Sequence, residues 1–144
     1  MNHAMKTMLL TSLSIAVILA SGCSTPTRPN STVFEGSWNG HEITPGQEGQ
    51  ASLLVSGHTL EFHGAGPNDW LKGTFTLRND TNPKQCVGII TECAAPDYVG
   101  KNFYSIYKIE DGALTVAGNE PGDTNIPSTF DAPGTRQIVF KHEQ

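Results

Sequence analysis

The sequence predicts an all-β domain: a small antiparallel up-and-down barrel of about eight strands, with a two-sheet β-sandwich as the alternative. Three observations carry this. From Val33 onward the chain falls into short segments in which apolar and polar residues alternate. Gly, Pro, Asn and Asp recur between those segments at close intervals, which is turn chemistry. No stretch of that region sustains a helical period. Closing such a chain into a barrel would leave no unpaired sheet edge.

The elements follow in order. Val33 to Ile43 reads as the first strand, broken by Thr44-Pro45-Gly46. Ala51 to Val55 is the second, and Ser56-Gly57 turns the chain tightly into the third, Thr59 to His63, with Leu60 and Phe62 on one face. The glycine-rich Gly64 to Asn68 is a loop. Trp70 to Arg78 alternates most clearly: Leu71, Phe75 and Leu77 face one way and Lys72, Thr74, Thr76 and Arg78 the other. After Asn79 to Pro83 the fifth strand runs from Gln85 to Glu92. Asn102 to Ile109 is the sixth, Asp111-Gly112 supplies a hairpin turn, and Ala113 to Ala117 is the seventh. Gly118 to Gly134, with Pro121, Pro127 and Pro133, is too long for an idle hairpin loop and reads as a barrel lid or a partner-contact loop. Thr135 to Lys141 is the eighth strand, with Ile138 and Phe140 on one face.

Two resemblances sharpen the expectation. Gly36-Ser37-Trp38 opens the first strand and resembles the Gly-x-Trp of lipocalins, in which the Trp plugs one barrel end. The resemblance implies that Arg136, on the last strand, packs across Trp38. A longer run resembles an uncharacterised lipocalin-like domain family, best known from repeated copies in planctomycetes. It comprises Gly73-Thr74-Phe75-Thr76-Leu77, Pro83-Lys84, Ile106 to Val116, and Pro127-Ser128-Thr129-Phe130 through Gly134 to Ile138-Val139-Phe140-Lys141. This likeness covers most of Phe34 to Lys141. It departs at Ile126, where the family often has a basic residue before the Pro, and in the Cys86–Cys93 segment. It implies the barrel and brings no activity with it.

The N-terminal region reads as an address. Lys6 precedes an uncharged run from Met8 to Ala20, which is 13 residues diluted by Thr11, Ser12 and Ser14. A bilayer-spanning helix wants about 20 mostly apolar residues, so a removable secretory signal is the better reading. Met5-Lys6 would be a more ordinary start than Met1. Ala20-Ser21-Gly22-Cys23 resembles the lipobox of bacterial lipoproteins, with Leu19 one place earlier than the usual pattern. That implies a signal peptide over residues 1–22, a diacylglyceryl group on the Cys23 thiol and further acylation, such as palmitate, of the new amine. Two or more acyl chains give lasting membrane attachment where one does not. Ser24 after the Cys resembles an outer-membrane destination, with the domain facing the periplasm. Residues 23–32, with Pro26 and Pro29, read as a disordered tether, and 33–144 as the barrel domain.

Composition narrows the function classes. Loss of Lys6 with the signal leaves eight basic against 14 acidic residues, a balance of −6. Such a surface argues against nucleic acid and against a polybasic clamp on anionic lipid. Cys86 and Cys93, in an exported chain, are expected to form a disulfide closing a short loop, worth roughly 2–3 kcal/mol.

No Gly-x-Ser-x-Gly elbow is present, and the glycines do not open helices that would cradle phosphate, so neither an enzyme nor a cofactor is expected. Glu61 and His63 share a strand face with His58 on the other. With His41 they do not make a legible ligand set, and no metal is expected. Trp38, Trp70, Phe103 and Tyr107, together with Phe75 and Tyr104, either line a cavity or fill a core; the first four are the ligand-binding candidates. The leading expectation is a non-enzymatic lipoprotein that binds a small apolar ligand or maintains the envelope. The alternative is a periplasmic protein-binding module, an inhibitor or immunity lipoprotein.

Overall fold

The computed structural model describes residues 33–143. The signal, the tether and Cys23 lie outside the described residues. Eight strands follow in chain order: β1 (Gly36–Glu42), β2 (Gly49–Ser56), β3 (Thr59–His63), β4 (Trp70–Arg78), β5 (Lys84–Cys93), β6 (Asn102–Glu110), β7 (Ala113–Gly118) and β8 (Arg136–His142). Each pairs antiparallel with the next, and β8 pairs back onto β1 with His142 opposite Trp38 and Ile138 opposite Glu42. That ladder closes the sheet into an up-and-down barrel and sets the sandwich aside. One short 3₁₀ turn, Pro96–Tyr98, interrupts the β5–β6 connection.

The strand bounds follow the alternation. β3 and β4 run over the expected residues. β1 differs, because it begins at Gly36 rather than Val33. Gly36 takes φ +105°, a conformation open to glycine and costly for other residues. The chain turns there, and Phe34 leaves the wall and enters the barrel end, 2% exposed.

Register fixes which side chains point in. Trp38, Gly40 and Glu42 on β1 share the inner face with Ala51, Leu53 and Val55 on β2. Their partners continue the lining through Leu60 and Phe62 on β3, then Leu71, Phe75 and Leu77 on β4. β5 adds Cys86, Gly88 and Ile90, and β6 adds Phe103, Ser105 and Tyr107. Leu114 and Val116 on β7 and Arg136, Ile138 and Phe140 on β8 complete it. Lys72 pairs with Glu92 and Gly73 with Ile90, so Thr91 is an extra residue. This bulge resets the alternation and returns Cys93 to the inner face.

The long connection between β7 and β8 lies on two surfaces. Its start, Asn119 and Pro121, borders the barrel opening. Its later part runs along the outer wall, where Phe130 sits under the Lys108 ammonium at 5.3 Å. Pro127 is buried, and Ile106 and Ala117, which point outward, are 0% exposed. The expected lid is therefore a strap on the outside of β6–β8, with its first residues alone at the opening.

The disulfide expectation is corrected. Cys86 and Cys93 are both free. They stand on one strand, β5, rather than across a loop. At about 3.3 Å per residue, seven residues separate them by roughly 23 Å, far beyond the roughly 7 Å Cα limit of a disulfide.

Candidate functional site

The barrel is packed at one end and hollow at the other. The packed end collects the starts of the odd strands and the ends of the even ones. Phe34 lies there against Phe75, with ring centroids 6.0 Å apart, and edge-on to Tyr107 at 4.7 Å. Trp38 Nε1 donates to the Phe34 carbonyl at 2.8 Å, so the plug is tied to the wall by a buried hydrogen bond. Burial raises the Tyr107 phenol above its ordinary range, the neighbouring Cys86 adds to this, and its hydroxyl donates to Asn79. Trp38 meets the edge of the His142 ring at 4.7 Å.

Arg136 takes no part in that end. It opens β8, six residues before His142, and so lies roughly 20 Å along the strand from Trp38. The expected packing of Arg136 across Trp38 is corrected: His142 occupies that place, because it is the β8 residue in register with Trp38.

Above Phe34 the interior holds a cavity of about 290 Å³. Its walls are Leu53, Leu60, Phe62, Leu71, Ile90, Phe103, Val116, Ile138 and Phe140, with Cys86 and Ser105 adding modest polarity. Phe103 reaches across because its neighbour Gly88 has no Cβ; one there would overlap the Phe103 ring. This volume is near the lower limit for small-molecule pockets, and it holds roughly ten groups of water size.

The opening is rimmed by three loops. The β3–β4 loop brings Asn68 and Asp69, the β5–β6 loop brings Ala95 and Tyr98, and the β7–β8 strap brings Asn119 and Pro121. Tyr98 donates its hydroxyl to Glu120, joining two of the loops, and that bond raises the phenol above its ordinary range. The Gly122 amide also donates to the Asn102 carbonyl at 2.8 Å.

Arg136 organises the third loop. Its Nη1 and Nη2 donate to the two Asp69 oxygens at 2.8 and 2.5 Å. Its Nε donates to Glu42 Oε2 at 2.8 Å, and Nη2 lies 2.7 Å from the same oxygen. The guanidinium also covers the Phe62 ring at 5.1 Å. The Asp69 bonds are the largest influence holding its proton, Glu42 adds to them, and partial burial opposes both. Gly64 lies against this cluster, where a Cβ would overlap the Asp69 carboxylate and stand 2.7 Å from Nη2. Glu42 is 4% exposed, and its Oε1 has no hydrogen-bond partner.

Of the four aromatic candidates, Phe103 lines the cavity and Trp70 borders its opening, with its ring stacked on His63 at 6.4 Å. Trp38 and Tyr107 lie in the packed end, 5% and 3% exposed. Sequence reasoning missed Arg136, Asp69 and Glu42 as a group; they are 67 and 94 positions apart and no local pattern joins them. Cys86 is buried and its thiol is pushed up to about 12, whereas Cys93 lines the upper cavity and donates to the Ala95 carbonyl. Glu61 and His63 form an exposed pair at 2.8 Å on the outer wall, which lowers the Glu61 carboxyl. No group of three or more His, Cys, Asp or Glu converges among the described residues. No helix among them is long and apolar enough to cross a membrane.

Comparison of the chain with family models, curated proteins and solved structures returns no match.

Proposed function

We propose that this protein is a non-enzymatic binder of a small apolar ligand, carried on a lipid-tethered chain at the outer membrane. The observation that carries the reading is the half-hollow barrel: about 290 Å³ of interior walled by Leu, Ile, Val and Phe, opening at one end through a polar rim. Transfer of apolar surface into such a space is favourable at about 25 cal/mol per Å². Chemistry has little to work with. The ionisable groups of the rim are already paired with one another, and neither thiol of the cavity wall has a base beside it. The membrane attachment rests on the lipobox-like Ala20-Ser21-Gly22-Cys23.

The test is titration of the full chain in neutral detergent with N-phenyl-1-naphthylamine, an uncharged dye that brightens in apolar surroundings. Val116→Trp, which fills the cavity, is the blank for dye taken up by detergent; Leu60→Trp is a second. Saturable binding of one dye per chain, absent from both folded variants, is expected. Equal signal from wild type and variants would overturn the proposal.

A further inference from the structure

The rim has a charge character that the apolar walls do not predict, and it bears on which ligand enters. We propose that the opening selects uncharged or cationic apolar molecules bearing an N–H or O–H donor and turns away apolar anions such as fatty carboxylates. This rests on the binding reading above.

The argument begins with Arg136. A lone arginine at the mouth of an apolar barrel would be a receptor for a carboxylate head group. Here all three of its nitrogens already face carboxylate oxygens, Nη1 and Nη2 those of Asp69 and Nε and Nη2 that of Glu42. Two acidic side chains share one guanidinium, so the cluster is acidic in sum. Glu120 adds a further carboxylate at the same rim, held by Tyr98. Lys101, on the same loop as Tyr98, keeps its ammonium over the Tyr98 ring at 5.1 Å.

The second observation concerns the hydrogen bonding of Glu42 rather than its charge. Glu42 stands on the inner face of β1 against two cavity-lining residues, opposite Ile138 and hydrogen-bonded to Arg136, without itself lining the cavity. Its Oε1 is buried without a hydrogen-bond partner. A buried acceptor left unsatisfied is costly, and a donor delivered inside the barrel relieves that cost. A ligand that presents an N–H or O–H group meets this demand, and a carboxylate adds another acceptor to it. Asn68 and Asn119 offer further amide groups at the rim.

Size sets the rest. A space for roughly ten water-sized groups suits molecules of about ten to seventeen heavy atoms, with N-phenyl-1-naphthylamine at the upper end. Decylamine, decan-1-ol and decanoate share that size and differ in head-group charge at neutral pH. The test is displacement of N-phenyl-1-naphthylamine from the full chain by each of the three, with the Val116→Trp chain as blank. Decylammonium and decanol are expected to displace the dye at concentrations about ten-fold or more below decanoate, since a charge near an acidic cluster in partly excluded water feels it strongly. Glu42→Gln, which keeps an acceptor for Arg136 and removes the charge, is expected to narrow that gap. Decanoate binding as well as decylammonium would overturn the charge selection and leave the binding reading standing. An unchanged gap in Glu42→Gln would overturn the part assigned to Glu42. Absence of cavity-dependent binding by the dye and all three ligands would overturn the binding reading, and the inference with it.

Discussion

Replacing Arg136 by Met tests the mouth cluster most directly. Met keeps much of the aliphatic stem and loses the cation that lies over Phe62. The largest consequence falls on Glu42, which is 4% exposed and whose carboxylate has Arg136 as its only polar contact among the described residues. Breaking a buried ion pair from one side typically costs about 3–5 kcal/mol, because a charge is left uncompensated. The lower figure applies here, since the site is at a barrel opening. Asp69 is a third exposed and adds under about 1 kcal/mol. Loss of the guanidinium over Phe62 adds about 0.5–1 kcal/mol. The expected sum is about 3.5–5 kcal/mol. With a urea slope of about 1–3 kcal/mol per molar, the midpoint falls by about 2 M, read from tryptophan fluorescence. Adding Glu42→Gln to the variant should restore at least half of the loss, as no charge is then buried. A loss below about 1 kcal/mol, or a deficit unchanged in the double variant, would refute the electrostatic argument.

Four other outcomes are expected. Phe34→Ala removes the floor of the cavity, a side chain 2% exposed, and should cost about 3–4 kcal/mol in urea unfolding; a cost under about 1 kcal/mol would mean the plug is not packed. Non-reducing peptide mapping should recover Cys86 and Cys93 as free thiols, with an aqueous thiol reagent modifying Cys93 in the folded protein and Cys86 only after unfolding. Because the buried Cys86 thiol is pushed up to about 12, it stays protonated in the fold while the unfolded chain ionises near 9; stability is full below that lower value and falls by about 1.4 kcal/mol per pH unit through the interval between the two. Cys86→Ala should flatten that alkaline slope, and an identical slope in the variant would assign it to other groups. Cys23→Ser should move the protein out of the membrane fraction and abolish labelling by a palmitate analogue; retention in the membrane would disprove the lipid tether.

The strands were legible because their causes are local. Alternation along Trp70 to Arg78 states which face is buried, and Ser56-Gly57 and Asp111-Gly112 state where the chain reverses. Short links between successive strands make neighbours in sequence neighbours in space, so the order of the barrel follows as well. The start of β1 was less legible, since Phe34 continues the apolar pattern and only the φ of Gly36 shows that it has left the wall.

What the chain alone determined was its strands and their order, because period and turn chemistry act within a few residues. Tertiary structure alone decided the rest. Whether a barrel is hollow depends on side-chain volumes summed across all eight strands, and here Phe34, Trp38 and Tyr107 fill one half while small inner-face residues such as Ser105 and Gly118 leave the other open. Cys86 and Cys93 stay apart because an extended strand holds them at a distance that no loop reading would give. Arg136 meets Glu42 and Asp69 because β8 closes on β1 in one register, which places the guanidinium at the open end and His142 against Trp38.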